Sequence, residues 1–304
     1  MNGSKFFRSC LVLLTSSLAS PAITTDAGTC CVWRATNTKA PCYLVGSIHA
    51  LSGNDYPLPQ PYYQALHDSK RILFEMYVDP KSENEYAHKF VRAAAYPKGD
   101  DVRRHVHPKT AQILQVNFTN ASLWGREAKF GDSYLDYGML QLRPWAIAAI
   151  FYGVPGYSDI HDYFGVDNYF SREAKRSGKE RAGLETIDEH IEVLRGMNDL
   201  ESELMLVETI VFRDKEKADF NQSRAAWKCG GFATLAAVYR RFWDLNPRAS
   251  ARLIDERNRK WVPKIEAEFR SGKPTSIVVG ALHMLSPTGL LALLERQGFK
   301  FEQL

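Results

Sequence analysis

The sequence predicts an α/β fold. A mixed or parallel sheet core is built from N- and C-terminal strand–helix–strand units, with a large, mostly helical insertion between them. Two observations carry this. The run Tyr43-Leu44-Val45-Gly46-Ser47-Ile48-His49 is apolar, reaches a glycine, and places a histidine three residues later; Ile277-Val278-Val279-Gly280-Ala281-Leu282-His283 repeats it near the other end. Each copy is then followed by a loop, a proline near the start of a helix-like stretch, and a second apolar run. After His49 these are Pro61, Tyr62 to Ser69 and Ile72-Leu73-Phe74-Glu75; after His283 they are Pro287, Thr288 to Gln297 and Phe299-Lys300-Phe301-Glu302. One Gly-x-x-His is a weak signal, but two in matched surroundings indicate a degenerate internal repeat.

Residues 1–22 read as a secretory signal. Lys5 and Arg8 supply the positive region, Cys10 to Leu14 with Leu18 and Ala19 the apolar one, and Ser17-Leu18-Ala19 or Ser20-Pro21-Ala22 the small residues of a cleavage site. This apolar part is shorter than the ~20 residues that span a bilayer. No later stretch is long enough either, so no membrane span is expected. The remaining residues, 23–304, are expected to form one exported domain, periplasmic or secreted, with its α/β core at 31–80 and 272–304 and the insertion at 81–271.

Cys31-Val32-Trp33 reads as an edge strand that turns at Thr36 to Pro41 into Cys42 to Ile48. That second strand is apolar on both faces, as a central strand covered on both sides must be. Pro61 sits where a first helical turn tolerates proline. Arg71 to Val78 is the next strand, stopped by Asp79-Pro80. Within the insertion, helices are expected over Glu83 to Ala95, Lys109 to Val116, and Pro144 to Tyr152, the last ended by Gly153, Pro155 and Gly156. A helix from Gly165-Val166-Asp167 to Arg176 and a short strand at Glu180 to Leu184 follow. Ile187 to Val211 is helical with a weak point at Gly196. Phe232 to Phe242 stops at Asn246-Pro247. Ala249 to Phe269 is the clearest helix, with Ile254, Trp261, Ile265 and Phe269 in one stripe.

The 45% hydrophobic and 24% charged fractions are those of a globular protein. The net charge of +4 is spread out, and the basic pairs Lys175-Arg176 and Arg240-Arg241 stand alone, so no nucleic-acid surface is expected. Removing the signal leaves Cys30, Cys31, Cys42 and Cys229, an even count that permits disulfides in an exported protein. Cys30 or Cys31 pairing with Cys42, with Cys229 taking the other, stands beside free buried thiols.

Each Gly-x-x-His puts a histidine just beyond the C-terminal end of a buried strand, where open α/β sheets form ligand sites. His49 and His283 converge if their strands lie side by side. Glu75 sits in an apolar run, and burying a carboxylate costs several kcal/mol unless it is paired or binds a metal. Two histidines and one carboxylate suit a divalent metal with open positions, without choosing among Zn, Mn, Fe and Co. Asn258 falls in the apolar stripe of the strongest helix, to cap a backbone group or face the site beside Arg257. Arg257 would neutralise a carboxylate or bind an anionic transition state. Glu185 ends the short strand, as a site carboxylate or a charge favoured by a helix N-terminus. His105-x-His107 lies among Arg103, Arg104 and Lys109, a poor setting for a cation, and Glu189-His190 lacks the second histidine of a zincin helix. His67 and His161 read as isolated and superficial. No Gly-x-Ser-x-Gly elbow, P-loop or Gly-x-Gly-x-x-Gly occurs.

With these residues in hand the chain resembles the TraB/GumN family, distantly akin to the Tiki metalloproteases. The likeness runs from about Pro41 to Leu304 through Leu44-Val45-Gly46-Ser47-Ile48-His49, Phe74-Glu75, Gly165-Val166-Asp167, Gly183-Leu184-Glu185-Thr186, Arg257-Asn258 and Val279-Gly280-Ala281-Leu282-His283, with Gly289-Leu290 after it. The family pattern usually has glutamine five residues after the Gly-Leu-Glu glutamate, where this chain has His190. The resemblance implies an α/β core holding both motifs and the glutamate under a helical insertion. By likeness to Tiki it implies metal-dependent hydrolysis of a peptide or protein substrate, activated by Mn or Co. His49, Glu75 and His283 would hold the metal or its activated water, with Glu75 alternatively the general base, and with Arg257, Asn258 and Glu185 as catalytic neighbours. The alternative expectation is a non-catalytic binding protein that sequesters a metal, haem or a signal peptide.

Overall fold

The computed structural model describes residues 29–79, 81–118, 128–130, 133–135, 139–152, 159–211 and 213–304. The signal-like residues 1–22, Pro80, and the helix stop at Gly153, Pro155 and Gly156 lie outside them. The N-terminal unit comprises β1 (Val32–Ala35), β2 (Cys42–Ser47), α1 (Gln60–Asp68) and β3 (Arg71–Met76). Then come α2 (Glu83–Ala94), α3 (Pro108–Phe118), the paired β4 (Ala128–Phe130) and β5 (Ser133–Leu135), α4 (Pro144–Tyr152), α5 (Val166–Arg176) and β6 (Glu180–Glu185). Next are α6 (Ile187–Arg195), α7 (Asp199–Val211), α8 (Arg213–Lys228), α9 (Phe232–Leu245), α10 (Pro247–Ser250), a π-helical turn Ala251–Asp255 and α11 (Glu256–Arg270). The C-terminal unit is β7 (Thr275–Gly280), a 3-10 turn Ala281–Met284, α12 (Leu290–Arg296) and β8 (Phe301–Gln303).

Six strands make one mixed sheet in the order β6-β3-β7-β2-β1-β8. β6, β3, β7 and β2 run parallel, while β1 is antiparallel to both its neighbours. The fold is therefore α/β, as the sequence predicts. The two-sided apolar runs become the central pair, β2 and β7, buried along their whole length. The repeat copies interleave: β2 crosses over β7 to reach β3, while β7 crosses over β2 and β1 to reach β8. These crossovers run in opposite directions, so right-handed connections send α1 and α12 to opposite faces of the sheet.

The range 81–271 also supplies a strand, β6, to the sheet's edge, and α5 beneath it, with Phe170 fully buried in the sheet's core. A second apolar core lies wholly within that range, around Phe90, Leu114, Trp145, Ile147 and Leu206. The weak point at Gly196 is a true break, because α6 ends there as its C-cap. The stripe Ile254, Trp261, Ile265 and Phe269 is buried, but the helix carrying it starts with a π-helical turn. α8 was not delimited by sequence, since its 16 residues are too polar to show an apolar stripe. The described helices include none long and apolar enough to cross a membrane.

The four cysteines among the described residues, Cys30, Cys31, Cys42 and Cys229, are free thiols. The register rules out the expected link to Cys42. Gly46 N donates to Cys31 O, so Cys31 lies beside Gly46, four residues along β2 from Cys42. At ~3.3 Å per residue that separation is about 13 Å, beyond the roughly 7 Å that a disulfide spans.

The loop after β2 is held from two sides. Trp227 at the end of α8 donates its indole N–H to Gly46 O at 2.8 Å, and Tyr62 OH donates to the same oxygen at 2.9 Å. Asp55, 3% exposed, caps Ser52 and takes ion pairs from Lys228 at 2.9 Å and Arg224 at 3.3 Å. On the other side, Leu51 and His161 exchange backbone hydrogen bonds, and Gly165 lies so close to His49 O that a Cβ there would come within 2.1 Å. Asp55→Ala removes the buried acceptor common to three of these contacts. It should lower stability to urea by about 2 kcal/mol and open the 50–59 loop to proteolysis; an unchanged midpoint would mean the clamp carries no stability.

Candidate functional site

Parallel strands place the C-terminal ends of β2, β7, β3 and β6 along one rim of the sheet. His49 follows β2, His283 lies in the 3-10 turn after β7, Glu75 is next to last in β3, and Glu185 ends β6. Arg257 and Asn258, from the start of α11, reach down to the same rim. All six predicted site residues thus meet in one network, built as follows.

Glu75 is its centre. Its Oε2 accepts from Arg257 Nη2 at 2.7 Å, and its Oε1 accepts from Gly280 N at 2.7 Å. The same Oε1 lies 3.8 Å from His49 Nε2 and 3.6 Å from His283 Nε2. Gly280 makes this convergence possible, because a Cβ there would sit 3.2 Å from both Glu75 Oε1 and His49 Nε2. Each imidazole is held from behind: His49 Nδ1 is 3.1 Å from Asp167 Oδ1, and His283 Nδ1 is 2.7 Å from Asn258 Oδ1. Asn258 also donates to the carbonyls of His283 and Thr288, so it both caps backbone and faces the site.

Arg257, 7% exposed, bridges the carboxylates. Its Nε and Nη2 take Glu185 at 3.1 and 2.7 Å, Nη2 also takes Glu75, and Nη1 reaches Leu253 O at 3.2 Å and His283 Nε2 at 3.4 Å. A guanidinium has five N–H groups, and all five are engaged. In this arrangement each donor of Arg257 has a partner, and the other expected role is the one on view: it neutralises and orients Glu75 and Glu185. Glu185 directly precedes Thr186, the N-cap of α6, and its carboxylate also joins the site through Arg257, so both expected placements hold.

Burial alone would raise the Glu75 carboxyl, but Arg257, the two imidazoles and the Gly280 N–H outweigh it and hold the group well below its usual range. Burial lowers His283 to about 4 against the pull of Glu75, with Arg257 adding to the effect, so this imidazole is neutral. For His49, desolvation opposes a charge, but Asp167 and then Glu75 overcome it and raise the pKa to about 9. Its side chain is 61% exposed, so solvent screening tempers that shift. Burial likewise opposes the charge on Glu185, and His190 and Arg257 together bring its carboxyl below the ordinary value.

Several contributors were not assigned a role from sequence. Asp167, at the start of α5, accepts from Ser47 Oγ at 2.7 Å while facing His49; its signal was a place in the family pattern. His190 was passed over because it lacks a zincin partner, yet its Nδ1 is 2.6 Å from Glu185 Oε1. Trp261, read as core, donates its indole N–H to Glu185 and stacks under Arg257 at 4.5 Å. His67 and His161 are exposed and stand apart from the network, and His105 pairs with Asp100 at 2.8 Å.

These features define an α/β protein with a histidine–carboxylate cluster at the C-terminal rim of its sheet. The chain belongs to the TraB/PrgY/gumN family, whose model matches residues 31–303. Comparison with curated proteins and with solved structures gives no match.

Glu75 and Glu185 stay ionised in the fold below the pH at which an unfolded glutamate, with a pKa of about 4.3, takes up its proton. Their network therefore contributes stability above that value, and loses it as pH falls through the depressed folded values. Thermal melts should show the midpoint of wild type falling between about pH 5 and pH 3 more steeply than that of Glu185→Gln. Parallel curves would place the acid sensitivity elsewhere.

Proposed function

We propose that the chain is an exported, metal-dependent hydrolase of peptide or protein substrates, with His49, His283 and Glu75 as the metal-holding residues. One observation carries the reading: both Nε2 atoms face a single oxygen of Glu75, at 3.8 and 3.6 Å, while both Nδ1 atoms are held from behind. Outer hydrogen bonds of that kind orient histidine ligands; His49 Nε2 is then open to bind, and His283 Nε2 would bind by giving up its 3.4 Å contact with Arg257 Nη1. Among the described residues, no group of three or more His, Cys, Asp and Glu stands in finished ligating geometry. The donors are nonetheless near it, since ligands about 2.1 Å from a tetrahedral ion are roughly 3.4 Å apart.

The charge balance points the same way. Glu75, Glu185 and Asp167 bring three carboxylates to the rim and Arg257 one compensating cation. A divalent ion would make up the difference of two charges, and a proton on His49 half of it. A bound ion would act as a Lewis acid, polarising a scissile carbonyl and acidifying water. Mn or Co is favoured by the Tiki likeness, and Zn or Fe suits the same donors.

The chain's own residues have separable tasks in this scheme. Glu75 is held too firmly ionised, by Arg257 and by Gly280 N–H, to serve well as a proton acceptor, so it acts as a ligand rather than as the base. Arg257 and Asn258 are positioning residues: one fixes the carboxylates, the other the His283 ring. Buried His283 forms the floor, and exposed His49 faces the side from which substrate and water arrive. The signal-like residues 1–22 support export.

A second reading, a non-catalytic protein that sequesters a metal, is favoured by the saturation of Arg257, which leaves it nothing to offer an oxyanion. Both readings are tested together. The purified protein should hold about one divalent ion per chain, and a folded His49→Ala/His283→Ala variant none. With Mn or Co it should cleave members of a peptide library, and Glu75→Gln should reduce turnover at least 100-fold. Metal binding without cleavage leaves the sequestering reading. If Mn, Co, Zn and Fe all fail to bind, both fall and the site should be assayed for haem and peptides.

A further inference from the structure

The end of α8 acts on the first Gly-x-x-His through a group of adjacent residues. Arg224 and Lys228 hold Asp55, and Trp227 bonds the Gly46 carbonyl and meets the Tyr62 ring at 5.3 Å between centroids. The next residue is Cys229, partly exposed, and then Gly230, with φ of 64°. There the chain lies directly on the segment Thr29 to Cys30 that leads into β1. A Cβ on Gly230 would come within 2.9 Å of Thr29 Oγ1 and 3.3 Å of Cys30 N, and Gln303 Nε2 reaches both Cys30 O and Gly230 O. Cys31 is fully buried beside Gly46, its Cβ 3.1 Å from where a Gly46 Cβ would be. It therefore adjoins the residue that Trp227 grips. Burial pushes the Cys31 thiol well above its usual range, and the neighbouring sulfurs of Cys30 and Cys229 act in the same direction.

We propose that Cys31 and Cys229 are the site of a disulfide that forms when the chain meets an oxidising environment, tying the end of α8 to the start of β1. Cys42 is excluded by the sheet register. Cys30 is disfavoured because it is the side chain of Cys31, packed beside Gly46, that adjoins the residue Trp227 grips. The chemistry needs a disulfide oxidant, such as oxidised glutathione. The Cys229 thiolate attacks it, forming a mixed disulfide and releasing one thiol. The Cys31 sulfur then displaces the second glutathione, its proton passing to that departing thiolate, and two electrons have passed to the oxidant. The bond would fix covalently the clamp that Asp55, Trp227 and Tyr62 make by ion pairs and hydrogen bonds. It does not depend on the hydrolase reading.

Peptide mapping tests this directly. The full chain is incubated with oxidised glutathione, alkylated under denaturing conditions and digested with trypsin plus a protease that cuts before Asp26. Cleavage after Arg34, Lys39 and Lys228 then leaves Cys10, the pair Cys30 and Cys31, Cys42, and Cys229 on four different peptides. The expected result is a cross-link between the Cys30-Cys31 peptide and the peptide beginning at Cys229. It should persist in Cys30→Ser and Cys42→Ser and vanish in Cys31→Ser and Cys229→Ser. Reduction should lower the melting temperature of the oxidised wild type by roughly 5 °C and leave Cys229→Ser unchanged. Recovery of Cys229 alkylated or carrying only glutathione would overturn the proposal, as would a link that Cys30→Ser abolishes. Because Cys31 is buried and its variant can fail to fold, the Cys30→Ser and Cys229→Ser arms suffice to decide.

Discussion

The buried guanidinium of Arg257 is the constraint on which the rest of the site depends. Two carboxylates, at the ends of β3 and β6, would repel each other and lose hydration in this setting, and removing the one cation between them would leave both uncompensated. Its fork also fixes their geometry. Taking Glu75 by Oε2 alone leaves Oε1 for the Gly280 N–H and turns it toward the imidazoles. Taking Glu185 by both oxygens leaves that group only the hydrogen bonds of His190 and Trp261. A glutamate in the apolar run Ile72-Leu73-Phe74-Glu75 is tolerated because a helix nearly two hundred residues later brings its partner.

That helix reaches the site by way of a backbone irregularity. The π-helical turn Ala251–Asp255 separates residues that pack in the second core, such as Ala249, from those that pack on the sheet, beginning with Trp261. Such turns widen the helix and free carbonyls, and they recur at functional sites. Here Arg257 itself donates to the Leu253 carbonyl inside the turn. Arg257 and Asn258 then leave the helix about 100° apart, so one meets the carboxylates and the other the back of the His283 ring. A regular helix over the turn would rotate this pair, and the stripe below it, relative to Ala249 and the second core.

Much of this could be seen in the residue order because it obeys local rules. A strand buried on both faces must be apolar throughout, so Tyr43 to Val45 and Ile277 to Val279 announce the centre of the sheet. A carboxylate in such a run must have a partner, so Glu75 stands out. What stayed hidden is set by tertiary geometry. The interleaving of the two repeat copies leaves no trace in either copy. Helix α8 is fixed by Trp227 and Tyr62 meeting over Gly46, not by an apolar stripe of its own. Asp167 and His190 lie on helix starts that read as ordinary solvated turns, and their importance comes from what the fold places opposite them. The saturation of Arg257 is likewise a count of neighbours that no spacing reveals.

The two histidines, copies of one motif, are not equivalent in the folded chain. His283 lies in a 3-10 turn beneath α11, 3% exposed, its ring against Trp261 and its Nδ1 on a neutral amide. His49 follows a strand of the same kind into a loop, and its Nδ1 faces a carboxylate with most of its ring in solvent. A neutral partner and full burial favour the uncharged imidazole; an anionic partner and solvent favour the charged one. The sequence repeat is therefore split by environment into a fixed, neutral floor and an accessible, basic rim. Of the two imidazoles, His49 is the one open to solvent, and the Asp55 and Trp227 clamp holds the segment that carries it.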